Sequence, residues 1–237
     1  MDARIAERLE HLPAEQAIET LLASNGILRP CLTCSFQAEG MALLHMVRKF
    51  VPDIPVLFLD TGYHFPETLA YRDRMKREWS LNLVTILPEK TVAQQESEFG
   101  LLYRSDPARC CQLRKVEPLA RALEPFDIWF AGLRREQSPA RRDIRKAALH
   151  QLPGGKVIWK LNPLADWTSQ QVWAYLEEHG IERLPLYDQG YQSIGCAPCT
   201  SIPVDPANPR SGRWGGTRLE CGIHTLGQPV PILDRIG

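Results

Sequence analysis

Apolar and polar positions along the chain follow two alternating periods. Ile5, Leu9, Leu12, Ile18, Leu21 and Leu22 recur at helical spacing before Asn25-Gly26, and Pro13 is placed to start a second helix. The pattern then contracts to short apolar runs bounded by turn or polar residues, at 31–36, 55–60, 82–87 and 127–132. These runs predict buried strands. Between them, residues 40–50, 66–80 and 107–123 carry apolar side chains at helical spacing. Strands alternating with helices predict an α/β fold, a doubly wound parallel sheet with helices on both faces. A further strand at 157–161 and a helix from about 168 to 179 follow, and the sheet is expected to end at that strand. From Leu184 onward Gly, Pro and Trp replace any sustained period. The organisation read from this is one domain over 1–237, with a core at about 25–183 and wrapped loops plus a mobile tail at about 184–237.

Composition narrows the class. A chain of 237 residues, 44% hydrophobic and 24% charged, buries one full core and excludes two large domains or a disordered chain. Its 28 basic and 28 acidic side chains cancel, so no global field attracts nucleic acid or an acidic membrane, although a local patch can still hold a small anion. The first residues mix acids and bases without an apolar stretch of signal-peptide type, and no apolar run approaches the roughly 18 residues of a spanning helix. The expectation is a cytoplasmic protein with no nucleic-acid or membrane partner. Seven cysteines in such a chain point to thiolate chemistry or metal binding rather than disulfides.

In a doubly wound sheet, ligands bind beyond the carboxyl ends of the strands. Two such ends are chemically loaded. Ser35-Phe36-Gln37-Ala38-Glu39-Gly40 leads from the first strand into a helix and offers backbone N–H groups and a hydroxyl to an anion, and Asp60-Thr61-Gly62-Tyr63-His64 ends the second. Ordinary loop and capping chemistry is the alternative for both. After the strand at 127–132, six bases and two acids lie between Arg134 and Lys146. That run places Arg134 and Arg135 at the same edge, where guanidinium forks suit phosphate or sulfate; a solvated surface is the usual fate of such runs.

Cys110-Cys111 and Cys196-Ala197-Pro198-Cys199 supply four thiols in two groups, the count that a 4Fe-4S cluster takes. Zinc also takes four thiolates, but its paired ligands normally have residues between them, and two adjacent cysteines reach separate irons more easily than one small ion. A pair of buried cysteines plus an incidental C-x-x-C is the remaining alternative. Cys31 and Cys34 look like another such pair, yet they lie in a predicted strand, where positions three apart face opposite sides, so both are expected in the core. Cys221 sits near Arg210, Arg213, Arg218 and His224, a neighbourhood that stabilises a thiolate, on a glycine-containing segment able to move like a lid. An incidental exposed cysteine is the alternative there.

With these residues the chain resembles the thioredoxin-dependent adenylyl-sulfate and phosphoadenylyl-sulfate reductases of sulfate assimilation. The likeness runs from about Ser35 to His224 and rests on Leu59-Asp60-Thr61-Gly62-Tyr63, Cys110-Cys111-Gln112-Leu113-Arg114-Lys115, the segment 131–138 and Glu220-Cys221-Gly222-Ile223-His224. It implies an adenine-nucleotide alpha hydrolase-like fold. It also implies a 4Fe-4S cluster on Cys110, Cys111, Cys196 and Cys199, Lys115 between cluster and substrate, and Arg210, Arg213 and His224 facing the phosphosulfate. Ser35, Phe36, Asp60, Thr61, Arg134 and Arg135 complete the expected substrate contacts. The branch with the cysteine pairs generally uses adenylyl sulfate, the branch without them the 3′-phosphorylated form. The first loop departs from the Ser-Gly-Gly-x-Asp-Ser pattern of related ATP enzymes, because Phe36-Gln37 replaces two glycines and Gly40 the final serine.

The resemblance makes Cys221 the nucleophile. Its thiolate attacks the substrate sulfur, AMP leaves and an S-sulfocysteine remains, with Lys115, Arg210 and Arg213 stabilising the leaving phosphate. If four cysteines hold iron and two are buried, this chain has no resolving thiol left, so an outside dithiol such as thioredoxin must release sulfite. The alternatives are phosphoadenylyl sulfate as substrate, use of both substrates, an iron–sulfur tRNA-thiolating enzyme, or a noncatalytic zinc or redox-sensing module. The missing Ser-Gly-Gly loop and the neutral charge oppose the tRNA reading.

Overall fold

In the computed structural model, which describes residues 3–24, 28–205, 208–216, 220, 222–223 and 228–229, the N-terminal apolar stripe forms helices α1 (Ala3–His11) and α2 (Ala14–Ser24). Leu9, Ile18 and Leu21 on that stripe are fully buried. Pro13 stands immediately before α2, and its carbonyl accepts from the Ala17 N–H at 2.8 Å.

The short apolar runs become β1 (Pro30–Thr33), β2 (Val56–Leu59), β3 (Leu83–Ile86) and β4 (Ile128–Ala131), paired in parallel. Helices α3 (Ala38–Arg48) and α4 (Pro66–Glu78) cross over between the first three. The remaining strands are β5 (Ala147–Gln151), β6 (Val157–Leu161), which is parallel to β4, and β7 (Gln228–Pro229). Spatial order is β3-β2-β1-β4-β6-β5-β7, so the winding reverses between β1 and β4. The expected α/β architecture is present. The expectation that the sheet ends at β6 is corrected: β5 pairs antiparallel with β6, and β7 with β5. Only Ala147 and His150 of β5 are buried, so this strand lacks the apolar run that marked the others.

Two helices follow β3 that the apolar pattern did not announce, α5 (Val92–Phe99) and α6 (Leu102–Ser105). Gln95 is the one buried residue of α5, and what starts that helix is a capping box between Thr91 and Gln94. The single helix expected over 107–123 is α7 (Pro107–Cys111), a π-helical turn (Gln112–Val116) and α8 (Glu117–Leu123). Pro118 lacks an N–H, and its ring crowds the carbonyl four residues earlier, at Arg114, so the helix widens there. The last helix, α9 (Ser169–Glu178), starts at a Thr168–Gln171 capping box.

Alternation along the strands feeds two cores. Leu32, Val56, Phe58, Ile128 and Phe130 join the helices α1 to α4 and α9 on one face; Cys31, Leu57, Trp129 and Ala131 join α8 on the other. Cys31 and Cys34 are both buried and belong to opposite clusters, as their spacing predicts. Leu184, Leu186 and Ile194 are buried in the larger core, so this part of the region read as loops and tail is packed on the domain. No helix among the described residues is long and apolar enough to cross a membrane.

Candidate active site

The carboxyl ends of β1, β2 and β4 open into a cavity of about 780 Å³, at the point where the strand order reverses. Thr33 and Ser35, Leu59 and Thr61, and Ala131, Gly132 and Arg134 line it from the three strand ends. Gln37 at the start of α3, His64 after β2, Lys115 in the π-helical turn, and Arg210 and Arg213 complete its polar wall.

A second, smaller cavity adjoins the first. Cys110, Cys111, Cys196 and Cys199 all line it, together with Tyr63, Tyr103, Arg114 and Lys115. Lys115 and Cys196 belong to both walls. The two cysteine groups are held together through the loop after β2. Thr61 Oγ1 lies 3.3 Å from Cys196 Sγ, and the Ala197 N–H donates to the Tyr63 carbonyl at 2.7 Å. From the other side Arg114 donates to the Thr61 carbonyl at 2.5 Å, to the Lys90 carbonyl at 3.2 Å and to Gln95 Oε1 at 3.1 Å. Among the described residues no three Cys, His, Asp or Glu side chains stand close enough to hold a single metal ion. The four thiols ring a hollow instead of meeting at one point.

The thiols differ electrostatically. Burial pushes up the Cys110 and Cys199 thiols. Burial opposes ionisation of Cys196 as well, but the charge of Lys115 and the hydrogen bond from Thr61 outweigh it and hold that thiol below its ordinary value. Deep burial drives the Cys34 thiol up to about 12, which suits a core residue. Burial pushes the His64 imidazole, whose Nε2 lies 2.8 Å from the Leu59 carbonyl oxygen, below its ordinary value.

The expected substrate contacts divide. Ser35, Thr61, Lys115, Arg134, Arg210 and Arg213 line the large cavity. Arg213 is 5% exposed, stacks over Trp214 at 4.5 Å and lies where a Cβ on residue 195 would collide, so Gly195 admits it. Its buried Nε has no hydrogen-bond partner among the described residues. Arg134 is already committed, with Glu39 at 2.9 Å and Glu136 at 2.7 Å.

Three of the expected residues do not line the large cavity. Phe36 has a left-handed φ of 58° that turns its ring into the core against Phe58 and Tyr71, away from the cavity. Asp60 accepts from the Gly62 N–H at 3.0 Å and pairs with Arg72 at 3.5 Å, so it shapes the turn without reaching the wall. Arg135 points to Glu10 of α1 and to the Ile144 carbonyl. Cys221 and His224 lie outside the described residues.

Sequence reading missed Arg141 and Glu220, which also line the cavity. Arg141 is 6% exposed and forks onto the Glu220 carboxylate at 2.7 and 2.6 Å, and Ser138 Oγ donates to the same group at 3.0 Å. Burial works against the Glu220 charge, but the Arg141 fork outweighs it and holds the carboxyl below its usual range. Nothing in a run of six bases marks Arg141 as the one with a partner 79 residues away.

The phosphoadenosine phosphosulfate reductase domain family matches residues 29–202. A phosphoadenosine 5′-phosphosulfate reductase of Gloeobacter violaceus is 44% identical over 230 residues, covering 91% of this chain and 93% of that protein. An adenosine 5′-phosphosulfate reductase of Mycolicibacterium smegmatis is 45% identical over 188 residues, 78% of each chain. The crystal structure of phosphoadenylyl-sulfate reductase from Candida auris superposes with a TM-score of 0.70 at 25% identity, covering 84% of this chain and 95% of that one. The fold is thus adenine-nucleotide alpha hydrolase-like. With a family match over residues 29–202 and a relative 44% identical across 91% of the chain, this chain belongs to the phosphoadenosine phosphosulfate reductase family.

Proposed function

We propose that this protein reduces adenylyl sulfate to sulfite and AMP in sulfate assimilation, through an S-sulfocysteine on Cys221 that thioredoxin releases. The observation that carries the reading is the pair of adjoining cavities, one lined by Lys115, Arg210 and Arg213, the other by all four cysteines of the two groups, with Lys115 common to both. Glu220 and Ile223, on either side of Cys221 in the chain, line the cationic cavity.

The cations bind the phosphosulfate. The Cys221 thiolate forms a bond to the sulfur of the anhydride while the bond from that sulfur to the bridging oxygen breaks. AMP departs with the electron pair, and Lys115, Arg210 and Arg213 stabilise the charge on its phosphate. One thiolate of reduced thioredoxin then attacks Cys221, expelling sulfite and leaving a mixed disulfide. The second thiol resolves it, so thioredoxin leaves oxidised and Cys221 regains its thiol.

Cys110, Cys111, Cys196 and Cys199 fit a 4Fe-4S cluster, because the donor set is four thiols around one hollow with no carboxylate or imidazole in its wall. When bound, the cluster ties α7 to the 196–199 turn and sets the field around Lys115. The protein is proposed to work in the cytoplasm with no nucleic-acid or membrane partner.

The name of the Gloeobacter relative favours a second reading, phosphoadenylyl sulfate as substrate. Sulfite release from the two nucleotides, with AMP as co-product of adenylyl sulfate and adenosine 3′,5′-bisphosphate as co-product of the 3′-phosphorylated form, each with reduced thioredoxin, decides between them. A larger kcat/KM for adenylyl sulfate is expected, and a larger value for the 3′-phosphorylated form would reverse the assignment.

A further inference from the structure

Residues 220 and 222–223 are held by contacts of different kinds. The Glu220 carboxylate receives the buried Arg141 fork at 2.7 and 2.6 Å and the buried Ser138 hydroxyl at 3.0 Å, with Arg210 at 3.8 Å. Gly222 has φ +89°, and a Cβ there would stand 3.3 Å from Val116 Cγ2, one position after Lys115. Ile223 then packs against the smaller core and lines the cavity. Arg141 is itself fixed, since its guanidinium also bonds Gln137 Oε1.

A bidentate fork onto a carboxylate fixes both position and orientation, which a single contact does not. Such a pair is costly to bury, and breaking one partner leaves an uncompensated charge, so it contributes little net stability and much geometric definition. Neither Glu220 nor Ser138 reaches a cysteine of the second cavity. What the contact fixes is the chain at the residue before Cys221, at the wall where the phosphosulfate is proposed to bind.

We infer that Glu220, held by Arg141 and Ser138, is a positioning residue that pins the Cys221 segment for attack. This rests on the reading of Cys221 as nucleophile. The pin acts on the chemical step; the carboxylate is itself an anion 3.8 Å from Arg210, so neutralising it removes no attraction for the nucleotide.

The test uses holoenzyme carrying Glu220→Gln, with Ser138→Ala as a milder variant that keeps the charge pair. Two quantities are read: the single-turnover rate at which adenylyl sulfate adds an SO3 group to the chain without thioredoxin, and the Kd of AMP. For Glu220→Gln the rate is expected to fall by about 10²-fold, the cost typical of a small misplacement of reacting groups, with the AMP Kd within about threefold of wild type. Ser138→Ala is expected to show a smaller loss of rate with the same unchanged Kd. If Glu220→Gln does not fold, the Ser138→Ala result decides. Variants that form the adduct at the wild-type rate overturn the pin, as does a fall in AMP affinity equal to the fall in rate. A wild-type enzyme that forms no adduct on Cys221 overturns the nucleophile reading itself.

Discussion

Thr61 Oγ1 lies 3.3 Å from Cys196 Sγ, joining the end of β2 to the second cysteine group across 135 residues of chain. The Thr61 carbonyl is held from the opposite side by Arg114, which is 3% exposed and follows the first cysteine group by three residues. Both groups are therefore indexed on one residue of the β2 loop.

Replacing Arg114 by Met leaves the buried carbonyls of Thr61 and Lys90 and the Gln95 side chain short of a donor. The expected cost is about 1–3 kcal/mol, read as a melting temperature lower by several degrees. Lysine is expected to rescue little, since it cannot reach three acceptors in a plane as the guanidinium does. A thermal melt unchanged in Arg114→Met would show that the loop is held by other contacts.

Anaerobically purified protein is expected to be brown, with about four irons per chain. Serine at Cys110, Cys111, Cys196 or Cys199 is expected to lose iron, whereas Cys31→Ser and Cys34→Ser keep it. Iron and absorbance measurements on the six variants check this. Stoichiometric zinc in colourless wild-type protein would replace the cluster assignment.

The cysteines also show what the sequence could and could not convey. Period two along β1 was enough to send Cys31 and Cys34 to opposite cores, and clustering was enough to bring four others to one hollow. The parallel strands β1 to β4 and β6 were legible because apolar residues predominate in each short run. β5 was not, because most of its residues are partly exposed at the side of the sheet. Phe36 illustrates a local failure: its position in the loop was readable, but a left-handed φ reverses where the ring goes. The Arg141–Glu220 pair is a product of tertiary structure alone, since each residue is one of many like charges along the chain.

Arg213→Lys keeps the charge but gives up the planar guanidinium that can bond an anion at two points. With adenylyl sulfate the expected loss in kcat/KM is about 10- to 100-fold, the range for hydrogen bonds to a charged group. Steady-state kinetics measure it. An unchanged kcat/KM would mean that the phosphosulfate lies elsewhere in the cavity.

Lys160, with Nζ 4.5 Å from the centroid of the Trp129 ring, gives a pH-dependent signature. Burial, then the nearby Arg141, bring its ammonium down to about 7 from an ordinary 10.5, with Glu220 opposing. The unfolded chain thus binds more protons between these values, so the group destabilises the fold fully below about pH 7 and less as pH rises. Lys160→Met is expected to melt higher than wild type at about pH 6, with the gain shrinking toward about pH 10. A gain that does not change with pH would assign the effect to packing instead.

Covalent catalysis by Cys221 is tested most directly by intact-mass analysis of wild-type protein incubated with adenylyl sulfate and no thioredoxin. One added SO3 group is expected, mapped to Cys221 by peptide digestion, absent from Cys221→Ser and discharged as sulfite when reduced thioredoxin is added. An adduct on Cys31 or Cys34, or normal turnover by Cys221→Ser, would contradict it.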